Sequence, residues 1–168
     1  MRLKKLLALF MTMAILVSTT MMASVEISKR EKVSPVDEIW MDMAVTVAKV
    51  NVEEGGIPCG AVVVLNGRLQ SSGQATEKAT SIETSIAMAK MKTLKNAKIY
   101  AVNEPTIEAY NAACKAKVDA IYFVNTKEKV IAAGVQPAEA YDESKIDTTL
   151  KAIPVIQMNY EDASALLK

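Results

Sequence analysis

The chain has 168 residues, of which 51% are hydrophobic and 23% are charged, and its formal net charge is +1. This length and balance are typical of one globular domain with its own core, and they exclude a disordered, highly charged chain. The net charge is near zero and no basic cluster stands out, so no nucleic-acid partner is predicted. The composition contains no histidine, which excludes imidazole acid–base catalysis and any zinc site with histidine ligands.

Residues 1–23 have the three parts of a secretory signal peptide. Arg2, Lys4 and Lys5 form a basic start, a run of about twelve mostly apolar residues follows, and small residues lead to a predicted cleavage after Ala23. The alternative is an uncleaved membrane anchor, although the run is shorter than the roughly 20 residues that span a bilayer. We therefore predict a periplasmic or secreted protein that has no membrane association after cleavage.

A polar segment, residues 24–34, is predicted to be a linker to a domain of residues 35–168. Ser34 and Pro35 are typical of an N-cap and a first helical residue, and they predict a helix that reaches about Glu54. Apolar residues at helical spacing give this helix one apolar face. They are Ile39, Met43, Val47 and Val50.

Two strands are predicted next, joined by the dipeptide Asn66-Gly67, which is the strongest short signal for a type I′ hairpin. Residues 60–65 are apolar and predict a buried strand, whereas residues 68–72 are more polar and suit a sheet edge. A helix over residues 82–95 and a strand over 99–102 follow.

Residues 103–124 predict the end of one strand, a helix and a second strand, which together make a βαβ unit. Pro105 suits the first turn of the helix, where a missing N–H costs no hydrogen bond. The helix of such a unit begins at the carboxyl edge of the sheet, where open α/β sheets place their ligands. Short helical stretches, a strand over 153–158 that Pro154 relegates to an edge, and a terminal helix over 161–167 complete the chain.

Several short motifs resemble the zinc-dependent nucleoside and nucleobase deaminases of the cytidine-deaminase-like fold. Glu104-Pro105 and residues 117–122 stand at the spacing of that family's E-P-C-x-x-C and R-[IV]-D-x-[IV]-[YF] motifs, and residues 53–62 are similar to its E-G-G-x-P-x-G-A-V run. The resemblance covers about residues 35–168 and is nearest to the guanine deaminase and tRNA adenosine deaminase branch. It implies a three-layer α/β/α sandwich with a five-stranded mixed sheet, and it also implies a homodimer.

The residues that do the chemistry in that family are replaced in this chain. By the resemblance, the three zinc-ligand positions are Glu83, Thr106 and Ala109, the proton shuttle is Ser85, and the substrate-contacting asparagine is Ala75. Alanine cannot coordinate a metal and threonine is a poor zinc ligand, so we predict no zinc, although the family requires it. The full set of degenerate pocket positions is Ala75, Glu83, Ser85, Asn103, Glu104, Thr106 and Ala109.

Two further features each have two interpretations. Glu83 and Glu108 could hold a hard cation or a polar small molecule, or they could simply be carboxylates favoured by the helix dipole in a first turn. Cys59 and Cys114 could form one disulfide in an oxidising compartment, or they could be two small buried residues.

Three hypotheses for function follow from these observations. The first is an inactive deaminase-fold protein that binds a small molecule in the old pocket or a protein partner. The second is a hydrolase that deaminates a nucleobase or nucleoside through a rebuilt site. The third is a purely structural domain, for which a filled pocket would be the sign. Fold alone does not choose among them.

Overall fold

The computed structural model describes residues 22–30 and 32–168. The predicted signal peptide therefore lies outside the described residues, except for Met22 and Ala23. Among the residues described, no helix is both long enough and apolar enough to cross a membrane.

One mixed sheet of six strands forms the centre of the domain. Its strands run in the order β1-β6-β5-β4-β2-β3, with β1, β6, β5 and β4 parallel and β2 antiparallel to both of its neighbours. The strands are β1 Ile27–Arg30, β2 Gly60–Leu65, β3 Arg68–Gln74, β4 Ala97–Asn103, β5 Ala120–Asn125 and β6 Val155–Met158.

Five α-helices surround this sheet in the part of the chain that is described. They are α1 Pro35–Glu53, α2 Ser81–Met88, α3 Ile107–Ala116, α4 Lys127–Ala132 and α5 Glu161–Ala165. Two short 3₁₀ helices, Ala138–Tyr141 and Glu143–Lys145, lie between α4 and β6.

The side chains of each central strand alternate between two hydrophobic cores, as the pleat of a strand requires. On β4, Ile99 and Ala101 face the core beneath α2 and α3, whereas Tyr100 and Val102 face the core beneath α1 and α5. The sheet is thus covered on both faces, and the predicted three-layer α/β/α sandwich is confirmed.

The prediction of five strands is wrong by one. The additional strand, β1, lies within residues 24–34, the segment predicted to be a linker, and it pairs in parallel with β6. Because β1 occupies that side, β6 is an interior strand rather than the edge that Pro154 predicted. Pro154 precedes β6, so its missing N–H removes no hydrogen bond between β6 and its neighbours. Its carbonyl accepts the N–H of Ile121 at 3.0 Å.

Two helix boundaries also differ from prediction. Helix α2 ends at Met88 rather than near Lys95, because Lys90 takes a left-handed backbone conformation with φ of 52°. Pro105 precedes helix α3 instead of occupying its first turn, since Thr106 is the N-cap and the helix begins at Ile107.

Helix α1 starts as predicted, with Ser34 as N-cap and Pro35 at its first position, but its buried face is different. The residues that pack on the sheet are mostly small, and they are Met41, Ala44, Val45 and Ala48. In the predicted apolar stripe, Met43 and Val47 are half-buried against the same core, whereas Ile39 is 58% exposed and Val50 is 39% exposed.

Candidate functional site

A small cavity lies at the carboxyl end of β4, where the βαβ unit predicted a ligand site. Its volume is about 20 Å³, roughly the space of one water molecule. It contains four of the predicted pocket residues: Asn103, Glu104, Thr106 and Ala109. The other lining residues are Cys59, Thr80, Ser81, Ile82, Pro105, Gln136 and Tyr141.

Thr106 and Ala109 both serve the start of helix α3. The Thr106 hydroxyl accepts the N–H of Ala109 at 3.2 Å, which satisfies one of the free N–H groups of the first turn. The methyl group of Ala109 is 1% exposed and packs in the core beneath α2 and α3. Neither residue therefore presents an unused polar group to the cavity.

Ile82, and not Glu83, lies beside Thr106 and Ala109. Ile82 is 2% exposed and lines the cavity, whereas Glu83 turns back to accept the N–H of Thr80 at 2.9 Å. Glu83 and Glu108 instead line an open surface depression of about 170 Å³, which adjoins the cavity at Thr80 and Gln136. The expectation that Glu83 occupies a ligand position in the old pocket is thus not met, since an aliphatic side chain stands there.

Ser85 and Ala75 also lie away from the cavity lining. Ser85 is fully buried, and its hydroxyl donates to the carbonyl of Ile82 at 2.8 Å. It sits where α2 crosses β3 at Gly73, at which a Cβ atom would overlap the backbone of Ser81 and Ser85. Ala75 follows the end of β3 and is half-buried.

A buried amide network joins the strand ends beneath the cavity. The Asn103 side-chain N–H₂ donates to the carbonyl of Pro58 at 3.0 Å and to the sulfur of Cys59 at 3.1 Å. The Asn125 amide donates to Asn103 Oδ1 at 3.1 Å and to the carbonyl of Ala163 at 3.0 Å. Asn103 is therefore used to hold β4, β5 and the start of β2 together.

The thiol of Cys59 is held neutral in this network. Burial raises the pKa of Cys59 to about 11, although the hydrogen bond from Asn103 opposes the shift. A thiol with such a pKa is a poor nucleophile at neutral pH, because the thiolate is the reactive form.

Glu104 and Tyr141 close the outer side of the cavity. The Glu104 carboxylate accepts the N–H of Lys127 at 2.8 Å and so caps helix α4. Burial raises the pKa of Glu104, although the bond from Lys127 opposes the shift. Tyr141, from the first 3₁₀ helix, is 8% exposed and its hydroxyl lies 3.5 Å from the carbonyl oxygen of Glu104. Its side chain lines the cavity.

Sequence reasoning missed Ile82 and Tyr141 as residues of this cavity. The signal for Ile82 was present, since Thr80-x-x-Glu83 is a capping-box pattern that sets where the helix begins and which residues face inward. No local signal identified Tyr141, because its position depends on how the segment after α4 folds back over the sheet.

Solved deaminase structures share this fold. A tRNA:A34 deaminase matches with a TM-score of 0.60 and 22% identity, over 76% of this chain and 98% of that one. Guanine deaminase from Nitrosomonas europaea matches with a TM-score of 0.63 and 17% identity, over 82% and 85% of the two chains. A guanine deaminase from Bacillus subtilis matches with a TM-score of 0.59 and 24% identity, over 76% of this chain and 88% of that one. The chain has the deaminase fold. No family model and no curated protein matches the sequence.

The residues of this deaminase-fold chain do not fit a zinc ion. The cavity wall offers an aliphatic side chain at Ile82, a hydroxyl already bonded at Thr106 and a methyl group at Ala109. Zinc in proteins is bound by imidazole, thiolate and carboxylate groups. Within residues 22–30 and 32–168, no three cysteine, aspartate or glutamate side chains come together in a way that could hold a metal.

The two cysteines of the deaminase fold are free and buried, so the disulfide interpretation is not supported. Cys59 lies at the carboxyl end of β4, whereas Cys114 is near the far end of α3, about 12 Å along the helix from Thr106. Burial also raises the pKa of Cys114.

Proposed function

We propose that this protein has the deaminase fold without deaminase chemistry, and that it acts by binding a partner. The observation that carries the proposal is the cavity of about 20 Å³ between Ile82, Thr106 and Ala109. Pockets for small organic ligands usually measure about 300–1,000 Å³, so a nucleobase has no room here. Deamination also needs an activated water and a proton shuttle. The Thr106 and Ser85 hydroxyls, which stand at two of the aligned positions, are already hydrogen-bonded within the fold.

The same cavity argues against a small molecule bound in the old pocket. Its polar groups already have partners within the chain: the Thr106 hydroxyl caps α3, the Glu104 carboxylate caps α4, and the Asn103 amide bonds Pro58 and Cys59. A ligand entering there would have to displace these bonds, and each buried group left unpaired would cost about 1–3 kcal/mol.

The outer stripe of α1 supports a protein partner instead. We define this stripe as Ile39, Met43, Val47 and Val50, which lie three or four residues apart along the helix. Ile39 and Val50 are exposed, whereas Met43 and Val47 are half-buried and pack in part against the core beneath α1. Exposed apolar side chains on one side of a surface helix are a feature of interaction faces. A second copy of the chain is the first partner to test, since a homodimer was expected from the family resemblance.

The proposed location is the periplasm or the exterior of the cell. The basic, apolar and small-residue pattern of residues 1–23 supports it. Intact mass of the protein recovered from a periplasmic fraction tests this, because cleavage after Ala23 predicts a mature chain beginning at Ser24. Recovery of the full-length chain from the membrane fraction would contradict it.

Metal content and ammonia release together test the loss of catalysis. Untagged protein should hold less than about a tenth of an equivalent of zinc and release no ammonia from guanine, adenosine or cytidine. One equivalent of bound metal with turnover of any of these would overturn the proposal, since the hydrolase hypothesis predicts that result.

Light scattering coupled to size exclusion tests the partner face. If the stripe joins two copies, Ile39→Glu should turn a dimer into a monomer, because a charge in an apolar interface is costly to desolvate. Met88→Glu is the matched control, since Met88 is 57% exposed at the end of α2, which packs on the opposite face of the sheet from α1. A monomeric wild-type protein would exclude the second copy and direct the search to another protein.

A further inference from the structure

A second, larger cavity lies at the opposite end of the sheet. It measures about 410 Å³ and sits between the start of α1, the Asn66-Gly67 turn and the amino end of β4. Along β4, Lys98 in this cavity is about 17 Å from Asn103 in the filled one. The volume falls within the usual range of small-molecule pockets. It is not part of the site described above.

The floor of this cavity is a built polar network centred on Asp37. That carboxylate is 4% exposed, and it accepts hydrogen bonds from Tyr100 Oη at 2.6 Å, Ser34 Oγ at 2.7 Å and Arg30 Nη1 at 2.6 Å. Burial alone would raise the pKa of Asp37, but these bonds and the nearby positive charges lower it below its ordinary value. The floor is therefore rigid and its carboxylate is ionised and fully engaged.

Two cations converge above one aromatic pair beside this floor. Tyr100 and Tyr122 stack with ring centroids 4.9 Å apart and an angle of 13° between their planes. Arg30 Cζ lies 5.2 Å and Lys98 Nζ lies 5.5 Å from the centroid of the Tyr122 ring. Cations at such distances are attracted to the ring, but they also repel each other. Asp37 offsets the charge of Arg30, so the Lys98 ammonium leaves the lining with an excess positive charge.

The rest of the lining has two parts: an aromatic side chain on one side of the cavity and two asparagine side chains at its rim. Trp40 is half-buried and presents an indole to the cavity, while Asn66 and Asn96 stand at its exposed edge. An indole surface suits a planar ring, and amide N–H₂ groups donate to oxyanions. A cation would meet the excess positive charge, and a neutral aliphatic molecule would use neither the charge nor the indole.

We propose that this cavity binds a small organic anion with a flat apolar body, of the aromatic carboxylate class. Its carboxylate lies at Lys98 and the rim amides, and its ring lies against Trp40. This goes beyond the proposed function. It involves none of the residues of the filled cavity, so it stands or fails independently of the loss of deamination.

Trp40 is the only tryptophan in the sequence, so its fluorescence reports directly on this cavity. We would titrate the protein with benzoate, with benzamide as the uncharged isostere and cyclohexanecarboxylate as the non-planar anion. N-acetyltryptophanamide titrated in parallel corrects for absorption by the probes. Benzoate should change the Trp40 emission saturably, with a Kd on the order of 1 mM, as expected for a ligand of this size. Benzamide and cyclohexanecarboxylate should each bind at least about tenfold more weakly.

Lys98→Gln should weaken benzoate binding by about tenfold and leave benzamide unchanged, because it removes only the charge. Lys95→Gln is the matched control, since Lys95 is exposed nearby but does not line the cavity. Both positions are exposed, and thermal melting confirms that each variant is folded. The proposal is overturned if benzoate gives no saturable change, if benzamide or cyclohexanecarboxylate binds as well as benzoate, or if Lys98→Gln binds benzoate like wild type.

Discussion

Thr80 and Glu83 bond each other's backbone across the first turn of helix α2. The N–H of Glu83 donates to the Thr80 hydroxyl at 3.3 Å, and the N–H of Thr80 donates to the Glu83 carboxylate at 2.9 Å. This reciprocal pair is a capping box, which satisfies two N–H groups that have no partner within the helix. The carboxylate that the family resemblance aligned with a zinc ligand is therefore part of the helix start.

Replacing Glu83 should accordingly change stability and nothing else. We expect Glu83→Ala to lower the free energy of unfolding by about 1 kcal/mol, as loss of a helix cap does. Urea denaturation measures this. Glu77→Ala is the control, because Glu77 is exposed three residues before the cap and should change stability by less than about 0.5 kcal/mol. If Glu83→Ala left stability unchanged but lost bound metal, the carboxylate would be a ligand and not a cap.

Restoring zinc ligands tests which residue of α2 faces the old pocket. The triple variant Ile82→His, Thr106→Cys, Ala109→Cys should bind zinc, because these three positions line one cavity. Cobalt substitution measures it, through the absorption bands of a tetrahedral thiolate site.

The matched control for this graft is the variant Glu83→His, Thr106→Cys, Ala109→Cys. It carries the same ligand types but should not form the site, since Glu83 points to the N-cap. Circular dichroism establishes that both variants are folded. Tight zinc binding by the Glu83 graft and none by the Ile82 graft would show that position 83, and not position 82, faces the old pocket, as the family resemblance implied.

Short-range signals in the sequence predicted much of this fold. Asn66 and Gly67 adopt the two positive φ angles, 52° and 69°, of the expected type I′ turn. Ser34 caps α1 as expected, through a hydrogen bond from the N–H of Asp37. Each of these features depends on a few neighbouring residues, so a single sequence contains the information.

Features that depend on distant contacts were not predictable in the same way. Strand β1 has largely exposed side chains and no apolar run, and it exists because its backbone pairs with β6, more than 120 residues later in the chain. Which apolar face of α1 is buried depends on close contact with the sheet at Gly60, where a Cβ would overlap the backbone of Ala44 and Ala48. Small residues must face that contact, so Ile39 and Val50 of the predicted stripe are left exposed.

The cysteines should be unreactive in the folded protein. Burial raises the pKa of Cys59 to about 11, so only about one molecule in a thousand carries the thiolate near pH 8. Ellman's reagent should therefore label neither Cys59 nor Cys114 before unfolding and both after unfolding in guanidinium without reductant. Absence of free thiols after unfolding would show that the two residues are bonded to each other, contrary to their places in the structure.

Asp37 should make stability depend on acid pH. Its folded-state pKa is lowered, so its stabilising effect is complete above the ordinary value of 3.8 and is lost as the pH falls through the folded-state pKa. Asp37→Asn removes the charge from a buried carboxylate with three donors, and we expect a loss of about 2–3 kcal/mol near neutral pH. Denaturant unfolding at several pH values should show this difference in the free energy of unfolding constant down to about pH 5 and smaller below about pH 4.

Tyr100→Phe is the milder variant against which Asp37→Asn is compared. It removes one donor and leaves Ser34 and Arg30 in place, so it should cost less than Asp37→Asn. An Asp37→Asn difference that is the same at low and neutral pH would show that the carboxylate acts through its shape and not through its charge.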